Sequence, residues 1–278
     1  MLVNLKEILQ DAHRGKYAVG LFNTTDTDML EAVIFAAEEL RAPVIIGTAE
    51  ILLPAGELKL ISPAILAAAK RASVPVVVHY DHGLTFARCM EALQLGFSGI
   101  MFDGSAGDYE QNVADTHEIV RIAHSFGAAV EGEIGHVGQA DSDDQNAEQF
   151  YTKTEEALDF AARTGVDALA IAIGTAHGAY KSKPCLDLER LKQIRGALDL
   201  PLVLHGGSGL SDDDFRQAIS CGISKVNIFT DLCLAGNRAM KEGLEMGLSY
   251  LDIRNHKVAQ IREEVKKKMT LFGCCGKA

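Results

Sequence analysis

Pro75-Val76-Val77-Val78-His79-Tyr80-Asp81-His82 is the stretch on which the fold turns. Three β-branched residues in a row fit a strand buried on both faces, as in a parallel sheet. The run then becomes polar at His79, Tyr80, Asp81 and His82. Two imidazoles and a carboxylate at the end of an apolar strand are costly without partners. Two later apolar runs finish in the same way. Ala168–Ile173 leads into Gly174-Thr175-Ala176-His177-Gly178, and Leu202–Leu204 into His205-Gly206-Gly207-Ser208-Gly209. A histidine followed by glycine therefore closes each of three separate strands.

Working outward, further strand patterns appear at Tyr17–Phe22, Val44–Gly47, Ser98–Phe102, Ala128–Glu133 and Ile223–Ile228. Helical spacing fills the gaps, for example Met29, Val33, Ala36 and Leu40 in a helix from about Asp26. A helix from about Pro63 to Ala72 is expected before the opening strand. Ser211-Asp212-Asp213-Asp214 has the form of a helix start, a serine cap followed by acids that suit the helix dipole. Leu2, Leu5, Ile8 and Leu9 predict an opening helix outside the first strand, as a plug or lid.

Eight strands alternating with helices predict an α/β fold, a (β/α)8 TIM barrel. Residues 1–278 are read as a single domain with an extra N-terminal helix and a C-terminal helical extension. A doubly wound open sheet is the rival. The barrel accounts for polar residues at many strand ends, because functional groups of barrels gather there.

The composition narrows the function. The chain of 278 residues is 47% hydrophobic, enough for one large core. A net charge of −11 argues against nucleic-acid and polybasic membrane binding. No run approaches the roughly 18 apolar residues of a membrane span. The opening Met1-Leu2-Val3-Asn4-Leu5-Lys6-Glu7 lacks the basic-then-apolar order of a signal peptide. Six cysteines with no CxxC pair fit reduced thiols. A cytoplasmic protein is expected.

The chemistry lies at the strand ends. His82, His177 and His205 make a three-imidazole set for a first-row metal, zinc above all, with one position left for water or substrate. His79 shares the Asp81 face of its strand, and either support of the site or a core hydrogen bond is open to it. Asp103, Glu131 and Glu133 end strands four and five. They can orient a ligand imidazole, offer a second cation position, or pair with a lysine or arginine. The glycines and Ser208 after strand seven, with Asn227 and Thr230 after strand eight, form a candidate phosphate site. Asn23, at the end of strand one, is a further candidate substrate contact.

Four motifs, His79-Tyr80-Asp81-His82, Gly174-Thr175-Ala176-His177-Gly178, His205-Gly206-Gly207-Ser208-Gly209 and Asn227-Ile228-Phe229-Thr230, stand in this order. Together they resemble the class II, metal-dependent ketose-bisphosphate aldolases, most of all the tagatose-bisphosphate aldolase branch. The likeness spans nearly the whole chain. It implies a lyase of carbohydrate metabolism that splits a ketose phosphate into dihydroxyacetone phosphate and an aldehyde. His82, His177 and His205 would hold one Zn2+ per subunit, which stabilises the enediolate. Asp81 would be the acid/base. Gly178, Gly206, Gly207, Ser208, Asn227 and Thr230 would hold dihydroxyacetone phosphate, with a monovalent cation such as Na+ assisting. A homodimer or homotetramer is implied.

The residue types agree with that chemistry. A retro-aldol step needs a base and an electron sink, and a metal can be the sink. The other sink, a lysine imine, lacks a lysine at a predicted strand end: Lys225 is early in strand eight and Lys181 lies beyond Gly178. The departures from the family lie elsewhere. Strand two leads into Thr48-Ala49-Glu50, and the loop after strand five reads Gly138-Gln139-Ala140-Asp141-Ser142-Asp143-Asp144. Asp141, Asp143 and Asp144 are the candidates for a loop acid that shuttles the second proton. The tail offers no obvious arginine segment for a second phosphate, so the aldehyde half is expected to differ, the aldehyde being non-phosphorylated or carrying another group. The alternative is a metal-dependent hydrolase or isomerase of a sugar phosphate on the same barrel.

Overall fold

The computed structural model describes residues 1–138, 150–178, 180 and 184–278. Its strands are β1 (Val19–Asn23), β2 (Val44–Ala49), β3 (Val76–Gly83), β4 (Gly99–Phe102), β5 (Ala129–Ile134), β6 (Ala168–Ile171), β7 (Leu202–Leu204) and β8 (Ile223–Ile228). All pair in parallel in chain order, and β8 returns to β1, closing the barrel. The helices are α1 (Leu5–Gly15), α2 (Thr27–Leu40), α3 (Leu58–Arg71), α4 (Phe86–Leu95), α5 (Tyr109–Ser125), α6 (Thr154–Thr164), α7 (Leu188–Ala197), α8 (Asp212–Ser220), α9 (Thr230–Glu245) and α10 (Tyr250–Phe272). Helices α2 to α9 each follow one strand, so α1 and α10 are the additions to the eightfold repeat.

The strands are buried on both faces because side chains fill the barrel inside and helices cover it outside. Local signals fix the helix starts. Asp26 accepts the Met29 N–H at 2.8 Å to begin α2. Ser211 caps α8 as the Ser-Asp-Asp-Asp run predicts, and Asp214 reaches back to complete a capping box. The start of α3 is a correction: the helix begins at Leu58, not near Pro63. The Glu57 carboxylate accepts the Lys59 and Leu60 N–H groups, both at 3.1 Å, and this cap sets the start ahead of the proline.

Helix α1 is a plug. It touches β1, β3, β5 and β8, which lie all round the ring. Leu5 is fully buried, and a Cβ on Gly99, at the start of β4, would come within 3.0 Å of it. The absence of a side chain at Gly99 gives the plug its room. At the other terminus α10 packs along α2 and α9. Arg254 reaches Asp28 at 2.8 Å and also Glu31, while Lys257 reaches Asp28 at 2.5 Å. No described helix is long and apolar enough to cross a membrane.

Candidate active site and metal centre

The end of β3 is irregular where the chemistry is expected. Its pairing with β4 slips between Tyr80 and Gly83. His82 sits at φ +41°, in the left-handed region that side chains rarely adopt. The other described non-glycine residues with positive φ, Lys16 and Arg41, cap the ends of α1 and α2. At His82 no helix end accounts for the strain, and such strain gathers at functional sites.

The conformation brings His82 to the two distant histidines. Its ring centroid lies 4.8 Å from that of His177 and 4.5 Å from that of His205. One ring nitrogen from each of the three lies within 4.8 Å of the others. A carboxylate orients two of the rings. Asp103 Oδ2 is 2.8 Å from His82 Nδ1, and the buried Nε2 of His82 has no hydrogen-bond partner. Glu131 Oε1 is 2.8 Å from His205 Nε2. That contact fixes the proton on Nε2, and the His205 Nδ1 lone pair, which accepts from Asn227 Nδ2 at 3.2 Å, is the one that would turn to a cation. The residues fit a divalent metal: converging imidazoles, an orphaned buried nitrogen, and carboxylates behind the rings.

Electrostatics sharpen this picture. Burial, then the neighbouring His82 and His205, lower His177 to about 3, so its ring is neutral. Burial and His82 lower His205 as well. At His82 burial is outweighed by Asp81, Asp103 and Glu133, and the value rises to about 10. Burial also opposes the charge of Asp81, but His82, His205 and Lys225 hold that carboxyl far below the usual range. Glu133 goes the other way, raised to about 8 by burial and by Asp103. Two of the three imidazoles, His177 and His205, are thus neutral donors, and the negative charge of Asp81 and Asp103 that draws a proton onto His82 would equally favour a metal cation there.

Asp81 is almost fully buried and held from two sides. Asn23 Nδ2 donates to its Oδ2 at 2.8 Å, and Asn227 Nδ2 to its Oδ1 at 3.0 Å. A cleft of about 340 Å³ opens above, lined by Asn23, Asp81, His82, Asp103, His177, Gly178, Gly206, Gly207, Ser208, Asn227 and Thr230. His205 and Glu133 stand behind this lining; His82, Asp103 and Glu133 also bring ligand atoms within 4.8 Å of one another. On one side Gly178 (φ +95°) and Gly206 (φ +65°) expose backbone at the ends of β6 and β7. Thr230 is the first residue of α9, whose N-terminus is a ready place for an anion. Ser208 Oγ accepts the Phe229 and Asp231 N–H groups at 3.2 and 3.3 Å, leaving its own proton free to donate.

The profile of the class II fructose-bisphosphate aldolase family matches residues 3–277. The chain belongs to that family. This aldolase is 40% identical over 279 residues to the uncharacterised protein YdjI of Escherichia coli (strain K12), covering 100% of both chains. It is 38% identical over 284 residues to fructose-bisphosphate aldolase of Geobacillus stearothermophilus, covering 100% of this chain and 99% of that one. The crystal structure of the YdjI aldolase from Escherichia coli K12 superposes with a TM-score of 0.90 at 37% identity, over the full length of both.

Some features of the aldolase's site carried no sequence signal. Lys225, early in β8, points inward: its buried Nζ lies 2.8 Å from Glu131 Oε2 and 2.7 Å from Asn227 Oδ1. Glu131 therefore both orients an imidazole and pairs with a lysine, two roles that stood as alternatives. The His79 ring nitrogens have no hydrogen-bond partner, which removes the core hydrogen bond, while its Nε2 lies 3.9 Å from Glu131 Oε2, the carboxylate that holds His205. Tyr180 Oη accepts the Ala176 N–H and donates to the Gly206 carbonyl, both at 2.8 Å, tying the β6 and β7 loops together. Ile51, Leu52, Leu84 and His136 also line the cleft. Asp141, Asp143 and Asp144, and also Lys181, lie outside the described residues.

Proposed function

We propose that this chain is a zinc-dependent aldolase that makes and cleaves a ketose 1-phosphate, with dihydroxyacetone phosphate as one half and a non-phosphorylated aldehyde as the other. The observation that carries the reading is the meeting of three strand-end imidazoles beside the buried carboxylate of Asp81. His82, His177 and His205 hold the metal. Zinc bound there supplies Lewis-acid stabilisation of the negative charge left when the carbon–carbon bond breaks.

The chain's own groups do the rest. Asp81 takes the proton from the hydroxyl on the carbon that becomes the aldehyde, and returns it in the condensation direction. Asn23 and Asn227 aim its two oxygens. Gly178, Gly206, Gly207, Ser208, Asn227 and Thr230 would receive the phosphate-bearing half, where a sodium ion would add positive charge. Asp103 and Glu131 fix the rings of His82 and His205. Asp103 and Glu133 offer a second cation position through His82. A loop acid, Asp141, Asp143 or Asp144, shuttles the second proton. Residues 1–278 work as a single barrel domain in a cytoplasmic homodimer or homotetramer.

The test is a coupled assay for dihydroxyacetone phosphate across a panel of ketose 1-phosphates, with and without chelator. Release from at least one member, abolished by chelator and restored by Zn2+, is expected. No release from any member by the zinc-loaded protein would sink the reading.

A further inference from the structure

The rim of the cleft opposite the phosphate side is apolar. After β2, the one-turn segment Glu50–Leu52 places Ile51 and Leu52 against the cleft, and the β3–α4 turn adds Leu84. Ile51 is 70% exposed and Leu84 54%. Two open aliphatic side chains side by side at a cleft mouth are a surface that a bound group covers favourably.

Strand order sets what that group is. In a closed ring of eight, β2 and β3 lie across from β6 and β7. The glycines proposed for the phosphate leave β6 and β7, and Asp81 and His82 end β3, with the His82 ring reaching His177 and His205 of the other side. A ketose phosphate anchored at the first side reaches the β2–β3 rim with its far end. No lysine or arginine among the described residues lines the cleft. Arg254 and Arg262 in the tail are engaged by Asp28, Glu31 and Glu39 of α2. A terminal phosphate at this rim would give up hydration with no lysine or arginine among the described lining residues to offset the loss.

The wall is also fixed in advance. Glu50 Oε2 accepts the N–H groups of Leu84 at 2.8 Å and Thr85 at 3.2 Å, and the Tyr80 hydroxyl at 3.2 Å. Glu50 Oε1 accepts the Thr85 hydroxyl at 3.0 Å. One carboxylate thus ties the turn after β2 to the turn after β3. It holds Ile51 and Leu84 in place before substrate arrives, which lowers the entropy lost on binding.

We infer that Ile51, Leu52 and Leu84, positioned by Glu50, form the subsite for the aldehyde's tail and select an uncharged, methyl-bearing end, so that the substrate is a terminally deoxygenated ketose 1-phosphate. This rests on the reading above that dihydroxyacetone phosphate occupies the β6–β8 side.

Two measurements on the zinc-loaded enzyme separate the two ideas. The first follows deuterium exchange from D2O into dihydroxyacetone phosphate by NMR, with no aldehyde present. The second compares kcat/KM for condensation with lactaldehyde, glyceraldehyde and glyceraldehyde 3-phosphate. Exchange is expected, with lactaldehyde preferred over glyceraldehyde about threefold to tenfold and over the phosphate by more. Ile51→Arg and Leu84→Arg, both at exposed positions, should raise kcat/KM for the phosphate relative to lactaldehyde at least about tenfold. Exchange together with wild-type preference for glyceraldehyde 3-phosphate, or with arginine variants that keep the wild-type ranking, overturns the subsite alone. Absence of exchange overturns the dihydroxyacetone-phosphate reading and the subsite with it.

Discussion

Glu131 and His205 meet through a 2.8 Å contact between two side chains that have no solvent exposure. The same carboxylate takes the Lys225 ammonium, so one buried anion serves both the His205 imidazole and a buried cation. Glu131→Gln is therefore expected to act twice. Losing the anion that fixes His205 should weaken metal affinity about 10- to 100-fold. Leaving Lys225 without its counter-charge should cost about 3 kcal/mol of stability. Adding Lys225→Met should return most of the stability and none of the metal affinity. Metal titration and urea unfolding read the two effects separately. Unchanged metal affinity in the single variant would remove Glu131 from the metal centre.

Asp81 offers a cleaner separation of chemistry from structure. Asp81→Asn keeps the side-chain volume and keeps an acceptor for one of its two asparagine partners. It removes the base. Turnover should fall about 10²- to 10⁴-fold, while metal content stays at the wild-type level. Activity above a tenth of wild type would show that another group takes the hydroxyl proton.

Metal removal should be visible in stability as well as in rate. A cation that binds only the folded chain, present at about a thousand times its Kd, adds about 4 kcal/mol. For a chain of this size, chelation should then lower Tm by about 8–16 °C. Activity should vanish with it, and both should return on adding Zn2+. Full turnover in excess chelator would contradict a metal role in the reaction.

The barrel was legible in the sequence because its strands are short apolar runs with abrupt polar ends. Val76-Val77-Val78 against Asp81-His82 is the clearest case. The three histidines were legible for the same reason: polar residues at strand ends have few other uses. What escaped was anything set by packing between distant segments. Lys225 looked remote from the site because its place early in β8 says nothing of how far a long side chain reaches inside the barrel. The α3 start was misplaced because Pro63 is the stronger local signal, whereas the Glu57 cap depends on a turn geometry that composition does not reveal. Ile51 and Leu84 were invisible as a pair until Glu50 joined their turns.

The C-terminal extension carries the remaining prediction. Asp28 in the first turn of α2 holds Arg254 Nε at 2.8 Å and Lys257 Nζ at 2.5 Å on α10. Burial works to raise its pKa, but the hydrogen bonds from Lys257 and Arg254 outweigh it and the value is lowered from 3.8. A carboxyl depressed by folding adds stability above its unfolded pKa and loses it as pH falls through the folded value. The contribution is therefore full at pH 7 and shrinks below about pH 4. Asp28→Asn should cost about 1 kcal/mol at pH 7, a figure kept small because the cluster is partly open to solvent. The gap between wild type and variant should narrow as pH drops below about 4. Comparing the two proteins at each pH cancels the loss of metal in acid, which affects both alike. Urea unfolding at pH 7 and pH 3.5 measures the gap. If it is the same at both, the ion cluster is not what holds α10 to the barrel, and apolar contacts such as buried Ile261 and Val265 must account for the docking alone.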